Sequence, residues 1–324
     1  MGIDVGGTNI RTAIYDETSN KITDIRKVAF LKSGNPKTEV DNNLCNVITT
    51  IIEEKAKENK MLGGIGLSVA SLFDRLTGCI TIWPNNKTWD QFPLKEYLLR
   101  IFDVPILMED DANSAAFGEH SLGAGRGYNN LAYITIGTGI GCGLVLNNTL
   151  YIGSNGWAGE IGHVIVIDDG PVCKCGMRGC LQSVASGPAI LRNYNGMIRN
   201  NSSVTDAALG LGDVVNLAKK GDWLAIKAFS QAAEYIGRMA ASLVMLLDVS
   251  IIVLGGGVSQ VGDILIKPVS ETLNTLISNF NRNVVIENSY LRDNSGVYGA
   301  LALIYKLINN NKTIPVKDSF SIGI

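Results

Sequence analysis

The sequence predicts an α/β protein of two domains, and three observations carry that expectation. At 324 residues the chain exceeds what one hydrophobic core usually organises, so two domains flanking a ligand cleft are expected. Strand-like apolar runs alternate with segments whose apolar residues recur at helical spacing. A strand, glycine turn, strand device occurs near the start and again near the middle, which hints at two related halves.

Residues 2–5 and 10–15 are apolar-rich and flank a Gly-Gly-Thr turn, as in a β-hairpin whose loop can come close to a ligand. Residues 22–31 read as a third strand, 44–56 as a helix, and 63–70 as a buried strand. After Pro84, a helix is predicted over 94–102 and a short strand over 105–108, ending at Glu109, Asp110 and Asp111. Carboxylates at a strand end face the ligand crevice in open α/β sheets. A helix over 112–122 follows, then strands over 131–136 and 141–146 around Gly137-Thr138-Gly139. Residues 181–248 are mostly helical, with breaks at Gly187-Pro188 and at the 200–203 loop. A strand over 250–254 feeds three glycines, and an amphipathic helix over 297–308 closes the pattern. The expected division is a smaller domain of residues 1–111, completed by that closing helix, and a larger domain of residues 112–296.

The composition excludes several classes of function. A net charge of -2 with 18% charged residues and no basic run gives phosphodiester backbones nothing to bind, so no nucleic-acid partner is expected. The longest apolar stretch, 239–254, is interrupted by Asp248 and Ser250, so no membrane span is expected. The start has no basic segment followed by an apolar run, and Gly6 stands where a myristoylation signal needs Ser or Thr; a cytoplasmic location is expected. Six cysteines in such a chain point to metal or redox chemistry rather than disulfides. Of these, Cys45, Cys79 and Cys142 stand apart and read as plain thiols.

Several segments carry residues suited to chemistry. In Asp4-Val5-Gly6-Gly7-Thr8-Asn9, small residues admit an anion to backbone amides and the Thr8 hydroxyl, while Asp4 can organise a metal ion. Such a turn in a hairpin can equally be a plain turn. Gly137, Thr138 and Gly139 repeat the device, and Gly255, Gly256 and Gly257 sit between an apolar strand and a helix, where an adenine ring or phosphate could approach. No Gly-Lys-Ser/Thr follows, so none of the three is a Walker motif. Three carboxylates in a row at Glu109, Asp110 and Asp111 repel one another unless a cation, substrate hydroxyls or solvent relieve them; a solvated helix N-terminus would also favour acids.

The most specific motif is His163 with Cys173, Cys175 and Cys180. Three thiolates and an imidazole satisfy tetrahedral Zn²⁺, Gly176 and Gly179 permit the turns, and four protein ligands describe a structural ion. Glu160 lies three residues before His163, so a metal-bound histidine would hold that carboxylate in place.

Taken in order, DVGGTN, EDDANSAAFGE, ITIGTGIGCG, GEIGHV, CKCGMRGCLQSVASG and LGGGVS resemble the ROK sugar kinases, among them bacterial glucokinases and N-acetylmannosamine kinases, from residue 2 to about residue 306. The resemblance implies an actin-like ATPase (ribonuclease H-like) fold, with ATP and Mg²⁺ at the glycine turns and a hexose between the domains. Asp111 would take the proton of the sugar 6-hydroxyl. Glu160, His163 and Gln182 would contact sugar hydroxyls, with Asn85, Asp110 and Gly139 lining the same wall. Family members are commonly dimers or tetramers, so a homo-oligomer is expected, with a sugar and a nucleotide as the small-molecule partners.

This chain departs from the family pattern at two places. The usual Asn-Asp pair is Asp110-Asp111, and a usual glutamate after the last zinc cysteine is Gln182. Charge is conserved while donors and acceptors are rearranged, which suggests a sugar other than plain glucose; Asp110 could accept from two hydroxyls or pair with an amine. Relatives of the family also include sugar-responsive repressors, which carry an added N-terminal DNA-binding segment of about eighty residues. The present chain opens at the first glycine turn and keeps Asp111, so a non-catalytic sugar-binding protein is the alternative reading.

Overall fold

The computed structural model describes residues 1–84, 86–199, 209–310 and 312–315. They form two compact units, one of Met1–Gly123 with the chain from Asp293 on, the other of Ala124–Arg292.

In the first unit, β1 (Gly2–Val5), β2 (Asn9–Asp16) and β3 (Lys21–Ala29) form an antiparallel meander, β2 pairing with both others. Helical turns then run without a break through α1 (Pro36–Val40), a π-turn over Asp41–Cys45, and α2 (Asn46–Lys57). The helix expected at 44–56 therefore starts eight residues early. Asn35 caps it by accepting from the Thr38 amide, and Pro36 supplies a first-turn residue. Buried Glu39 hid this start from an apolar count. It is satisfied inside the core by the Ser33 and Gly34 amides, the Asn86 amide group and the Trp89 indole.

The unit continues with β4 (Ile65–Val69), a small hairpin of β5 (Leu72–Phe73) and β6 (Ile80–Ile82), α3 (Leu94–Leu99), β7 (Ile106–Asp110) and α4 (Asp111–Leu122). Its sheet has the order β3-β2-β1-β4-β7, with β1, β4 and β7 parallel.

The second unit repeats the plan. β8 (Leu131–Ile136), β9 (Ile140–Leu146) and β10 (Thr149–Tyr151) are antiparallel. After α5 (Leu181–Ala185), α6 (Gly187–Arg199), α7 (Leu211–Lys219) and α8 (Trp223–Leu247), β11 (Ile251–Gly255) pairs parallel to β8, and β12 (Val285–Asn288) to β11. The order is β10-β9-β8-β11-β12, so each sheet has three antiparallel strands followed by two parallel ones. Helix α9 (Asp263–Ile277) precedes β12, and α10 (Ser295–Ile308) returns to the first unit. The expected break at Gly187-Pro188 falls one residue earlier, at Ser186, and the 200–203 loop lies outside the described residues.

Each unit has its own apolar core, one around Ile3, Ile48, Leu67 and Trp89, the other around Ile134, Phe229, Ile252 and Leu273. Helix α4 belongs with the first unit because it packs on α10 through glycine. A Cβ on Gly299 would lie 1.6 Å from the Ser114 carbonyl oxygen, so the two helices touch backbone to backbone. That contact fixes the start of α4, and so the three carboxylates at the end of β7.

Candidate functional site

The first unit gathers its chemistry at the carboxyl ends of β1, β4 and β7. Parallel register sets Asp4 beside Ser68, and Ser68 beside Glu109. Ser68 donates its hydroxyl to Asp4 Oδ1 at 2.8 Å. The antiparallel register of β1 and β2 places Arg11 opposite Asp4, with its guanidinium 3.7 Å from Asp4 Oδ2 and 3.0 Å from Asp293. Burial raises the Asp4 carboxyl to about 6; the charges of Asp111 and Asp293 add to that rise, while Ser68 and Arg11 oppose it.

The Gly6-Gly7-Thr8-Asn9 turn joins β1 to β2. Its Gly6 N–H donates to the Asn9 carbonyl at 3.0 Å, closing the turn, and the Asn9 amide donates to the Thr8 hydroxyl. The remaining anion-binding candidates there are the Gly7 and Thr8 amides and the exposed Thr8 hydroxyl.

Asp110 is the N-cap of α4: its Oδ1 accepts from the Asn113 backbone amide at 2.8 Å and its Oδ2 from the Asn113 side-chain amide at 2.5 Å. Burial, and then the charge of Glu109, push the Asp110 carboxyl well above the ordinary carboxylate value. Asp111 is the first residue of α4 and is exposed, with one carboxylate oxygen accepting its neighbour's amide, Ala112 N–H, at 2.9 Å. Asn85 lies outside the described residues.

In the second unit, the β8–β9 turn is Gly137-Thr138-Gly139. The Gly137 amide is spent on the Gly139 carbonyl at 2.9 Å, and Thr138 is exposed. A Cβ on Gly137 would meet nothing within 4 Å, whereas one on Gly139 would lie 3.0 Å from the Gln182 amide oxygen. At the end of β11, Gly256 has φ +83°, and a Cβ there would come 2.4 Å from the Ile136 carbonyl oxygen, so only glycine fits beside β8. Gly257 faces open space, and a 3₁₀ turn over Val258–Val261 intervenes before α9.

The zinc motif converges. The ligand atoms of His163, Cys173, Cys175 and Cys180 all lie within 4.8 Å of one another. Cys173 Sγ is 3.8 Å from His163 Nδ1, and Cys175 Sγ is 3.7 Å from Cys180 Sγ. Thiolates about 2.3 Å from a tetrahedral zinc stand about 3.8 Å apart, so the donor set and its spacing fit that ion. A short backbone knuckle makes the convergence: the Cys173 amide donates to the Met177 carbonyl at 2.7 Å and the Gly176 amide to the Cys173 carbonyl at 3.0 Å.

Burial pushes the Cys173 thiol up, but hydrogen bonds from the Cys175 backbone, the Gln182 amide and the two other thiols bring it down to about 6. With Nδ1 toward the thiols, His163 turns Nε2 toward Glu160, 3.9 Å away. Gln182 donates its amide to Cys173 Sγ at 3.1 Å, a bond an ionised glutamate could not make. Thus Gly139, Glu160 and Gln182 come together around the cluster of His163, Cys173, Cys175 and Cys180.

Two charged residues escaped the sequence reading. Arg11 could have been found, because a hairpin pairing Val5 with Ile10 must pair Asp4 with Arg11. Arg75 belongs to no motif and reaches Glu109 and Asp110 only through the fold.

A sheet of three antiparallel and two parallel strands, built twice, with a glycine turn in each antiparallel hairpin and a carboxylate at the end of a parallel strand, defines the actin-like ATPase class. Within it, the ROK family profile matches residues 1–306, and the chain belongs to the ROK family. It is similar to the glucokinase of Halalkalibacterium halodurans, 36% identical over 279 residues and covering 84% of each chain. A solved ROK family glucokinase from Streptomyces griseus, in complex with glucose and AMPPNP, is 30% identical with a TM-score of 0.76, covering 93% of this chain and 97% of that one. The xylose repressor of Caldicellulosiruptor bescii is 28% identical over 314 residues, covering 94% of this chain and 77% of the repressor. No helix among the described residues is long and apolar enough to cross a membrane.

Proposed function

We propose that this chain transfers the γ-phosphoryl group of ATP to the 6-hydroxyl of a hexose or hexose derivative, with Asp111 as the base. The chain is a hexokinase-type sugar kinase. The observation that carries the assignment of Asp111 is its place: an exposed carboxylate opening α4 at the end of parallel strand β7, near enough to Asp4 that its charge raises the Asp4 carboxyl.

In the reaction, Asp111 accepts the proton of the sugar hydroxyl as its oxygen bonds to the γ-phosphorus. The bond from that phosphorus to the β–γ bridging oxygen breaks, and its electron pair leaves with ADP. Asp4 would hold Mg²⁺, which neutralises charge on the phosphates when bound. The Gly7 and Thr8 amides and Thr8 hydroxyl in the first unit, and in the second the Thr138 hydroxyl and the 255–257 turn, are each suited to a nucleotide's anionic oxygens. In the second unit, Glu160 and Gln182 Oε1 offer acceptors and His163 Nε2–H a donor, which suits sugar hydroxyls, and Asp110 of the first unit is proposed as a further contact. The His163, Cys173, Cys175 and Cys180 set would hold a structural zinc that keeps Glu160, His163 and Gln182 in register within the second unit.

The test is an ATP-consumption assay over glucose, mannose, allose, N-acetylmannosamine and amino sugars, with the phosphorylated position read from the product. Asp111→Asn is expected to lower kcat about 10²–10⁴-fold with little change in sugar KM, the usual share of a general base. Full turnover in that variant would remove Asp111 from the mechanism. Sugar binding without any ATP consumption by the native chain would leave the non-catalytic, regulator-like reading instead, which the likeness to xylose repressors keeps in view.

A further inference from the structure

Gln182 engages two separate features of the second unit at once. It stands on α5, two residues after Cys180 of the histidine–cysteine cluster, and its side-chain amide donates to Cys173 Sγ at 3.1 Å. The other end of the same amide, Oε1, lies against glycines: a Cβ on Gly139 would be 3.0 Å from it, and a Cβ on Gly162 3.5 Å. The oxygen therefore fills the space beside the β8–β9 turn that a side chain at residue 139 would need.

The same corner of chain holds the other end of that turn. Helix α5 stops at Ala185, the Ser186 amide donates to the Gln182 carbonyl at 3.3 Å, and the Gly187 amide, opening α6, donates to the Gly137 carbonyl at 2.8 Å. Gln182 and Gly187 thus bracket Gly137 and Gly139. At the cluster, Cys180 is the N-cap residue of α5, and the next amide, Leu181 N–H, donates to the Val164 carbonyl at 2.8 Å. Gly162 rests on β9, where a Cβ would lie 2.1 Å from the Ile140 carbonyl oxygen. A continuous run of contacts therefore joins the cluster to the turn, all of it inside one unit.

We infer that Gln182 is a positioning residue that couples the histidine–cysteine cluster to the β8–β9 turn, so that zinc at the one and a nucleotide at the other strengthen each other's binding. The reason lies in the two unlike ends of a carboxamide. An ion held by the cluster fixes Cys173 in place as a charged acceptor, and a fixed acceptor orients the Gln182 N–H. Once the N–H is oriented, Oε1 is committed to the side of Gly139. A turn closed on an anion holds Gly139 in the matching position, and the coupling must act equally in both directions. The nucleotide half of this inference rests on the kinase reading; the coupling of cluster and turn does not.

The experiment measures zinc affinity in the full chain by competition with a chromogenic chelator, and needs no activity. Gln182→Leu removes the donor and should lower the affinity about 10–100-fold. Gln182→Glu sets a carboxylate against the thiolate and should lower it at least as far. Gly139→Ala lies outside the ligand set, yet its methyl group would displace the far end of Gln182, so it should lower zinc affinity about tenfold, the loss of one charge-assisted hydrogen bond. Gly137→Ala, whose methyl group meets nothing within 4 Å, should leave it unchanged. Adding AMPPNP with excess Mg²⁺ should tighten zinc about fivefold in the native chain and not at all in Gln182→Leu.

Native zinc affinity in the Gln182 variants, equal effects of Gly139→Ala and Gly137→Ala, or a native chain that takes up no zinc would each overturn the inference. So would a Gln182→Leu chain whose zinc still tightens with AMPPNP, because a merely structural glutamine would leave that response intact. If Gln182→Leu does not fold, the isosteric Gln182→Glu takes its place in both arms. A native chain that binds no AMPPNP would sink the kinase reading, while the two glycine variants would still decide whether cluster and turn are coupled.

Discussion

Replacing Asp4 by asparagine should make the protein more stable at neutral pH while abolishing phosphoryl transfer. Burial lifts the Asp4 carboxyl from 3.8 to about 6. A carboxyl that holds its proton more tightly folded than unfolded contributes its full stability below pH 3.8, and that contribution is lost as pH rises to about 6. At about 1.4 kcal/mol per pH unit, the folded state at pH 7 carries a deficit of about 3 kcal/mol from this one group.

Asparagine removes the ionisation and keeps an oxygen for the Ser68 hydroxyl. It also loses the attraction of Arg11, which is 3.7 Å away and retains Asp293. The net gain should be about 2 kcal/mol, or about 4–8 °C in the melting temperature. Scanning calorimetry in a chelating buffer at pH 4 and pH 7 measures it: the variant should match the native chain at the acid end and exceed it at the neutral end. An Asp4→Asn protein that is less stable at pH 7, or whose difference from native is the same at both pH values, would refute the buried-carboxylate argument. The same variant should show no detectable ATP turnover, because the carboxylate proposed to organise the metal–nucleotide is gone.

Two further outcomes test the second unit. Elemental analysis of the purified chain should find about one zinc per chain. Cys175→Ser, at the exposed member of the ligand set, should abolish it and lower the melting temperature, as expected when a structural ion contributes to folding. A zinc-free native protein with unchanged stability would contradict the site. Gly137→Ala adds a methyl group that meets nothing within 4 Å, so the fold should be unaffected; a rise of tenfold or more in KM for ATP would place the nucleotide against this turn, and an unchanged KM would remove the turn from the nucleotide site.

Much of this architecture was legible because it is local. Residues 2–5, 131–136 and 250–254 are apolar-rich runs, as strands covered on both faces are, and they form β1, β8 and β11 within a residue of the expected bounds. The convergence of His163, Cys173, Cys175 and Cys180 was legible because the four lie within 18 residues, with glycines between the cysteines. The short strands β5, β6, β10 and β12 were not legible. They have two to four residues each, several of them exposed, and carry too little periodicity to stand out from turns. The early start of the first helical run was hidden by Glu39, a charged residue whose burial is compensated by partners from distant segments.

The sequence by itself determined the repeated strand–glycine–strand plan, the histidine–cysteine cluster, and the run of carboxylates opening α4, because each depends on neighbours a few residues apart. Only the tertiary structure decided what those carboxylates face. Parallel register put Asp4, Ser68 and Glu109 side by side, the backbone contact at Gly299 fixed the start of α4, and a loop 35 residues before Asp110 delivered Arg75 to it. Electrostatic energy depends on distance through space, and distance through space is what a linear pattern of charges does not contain.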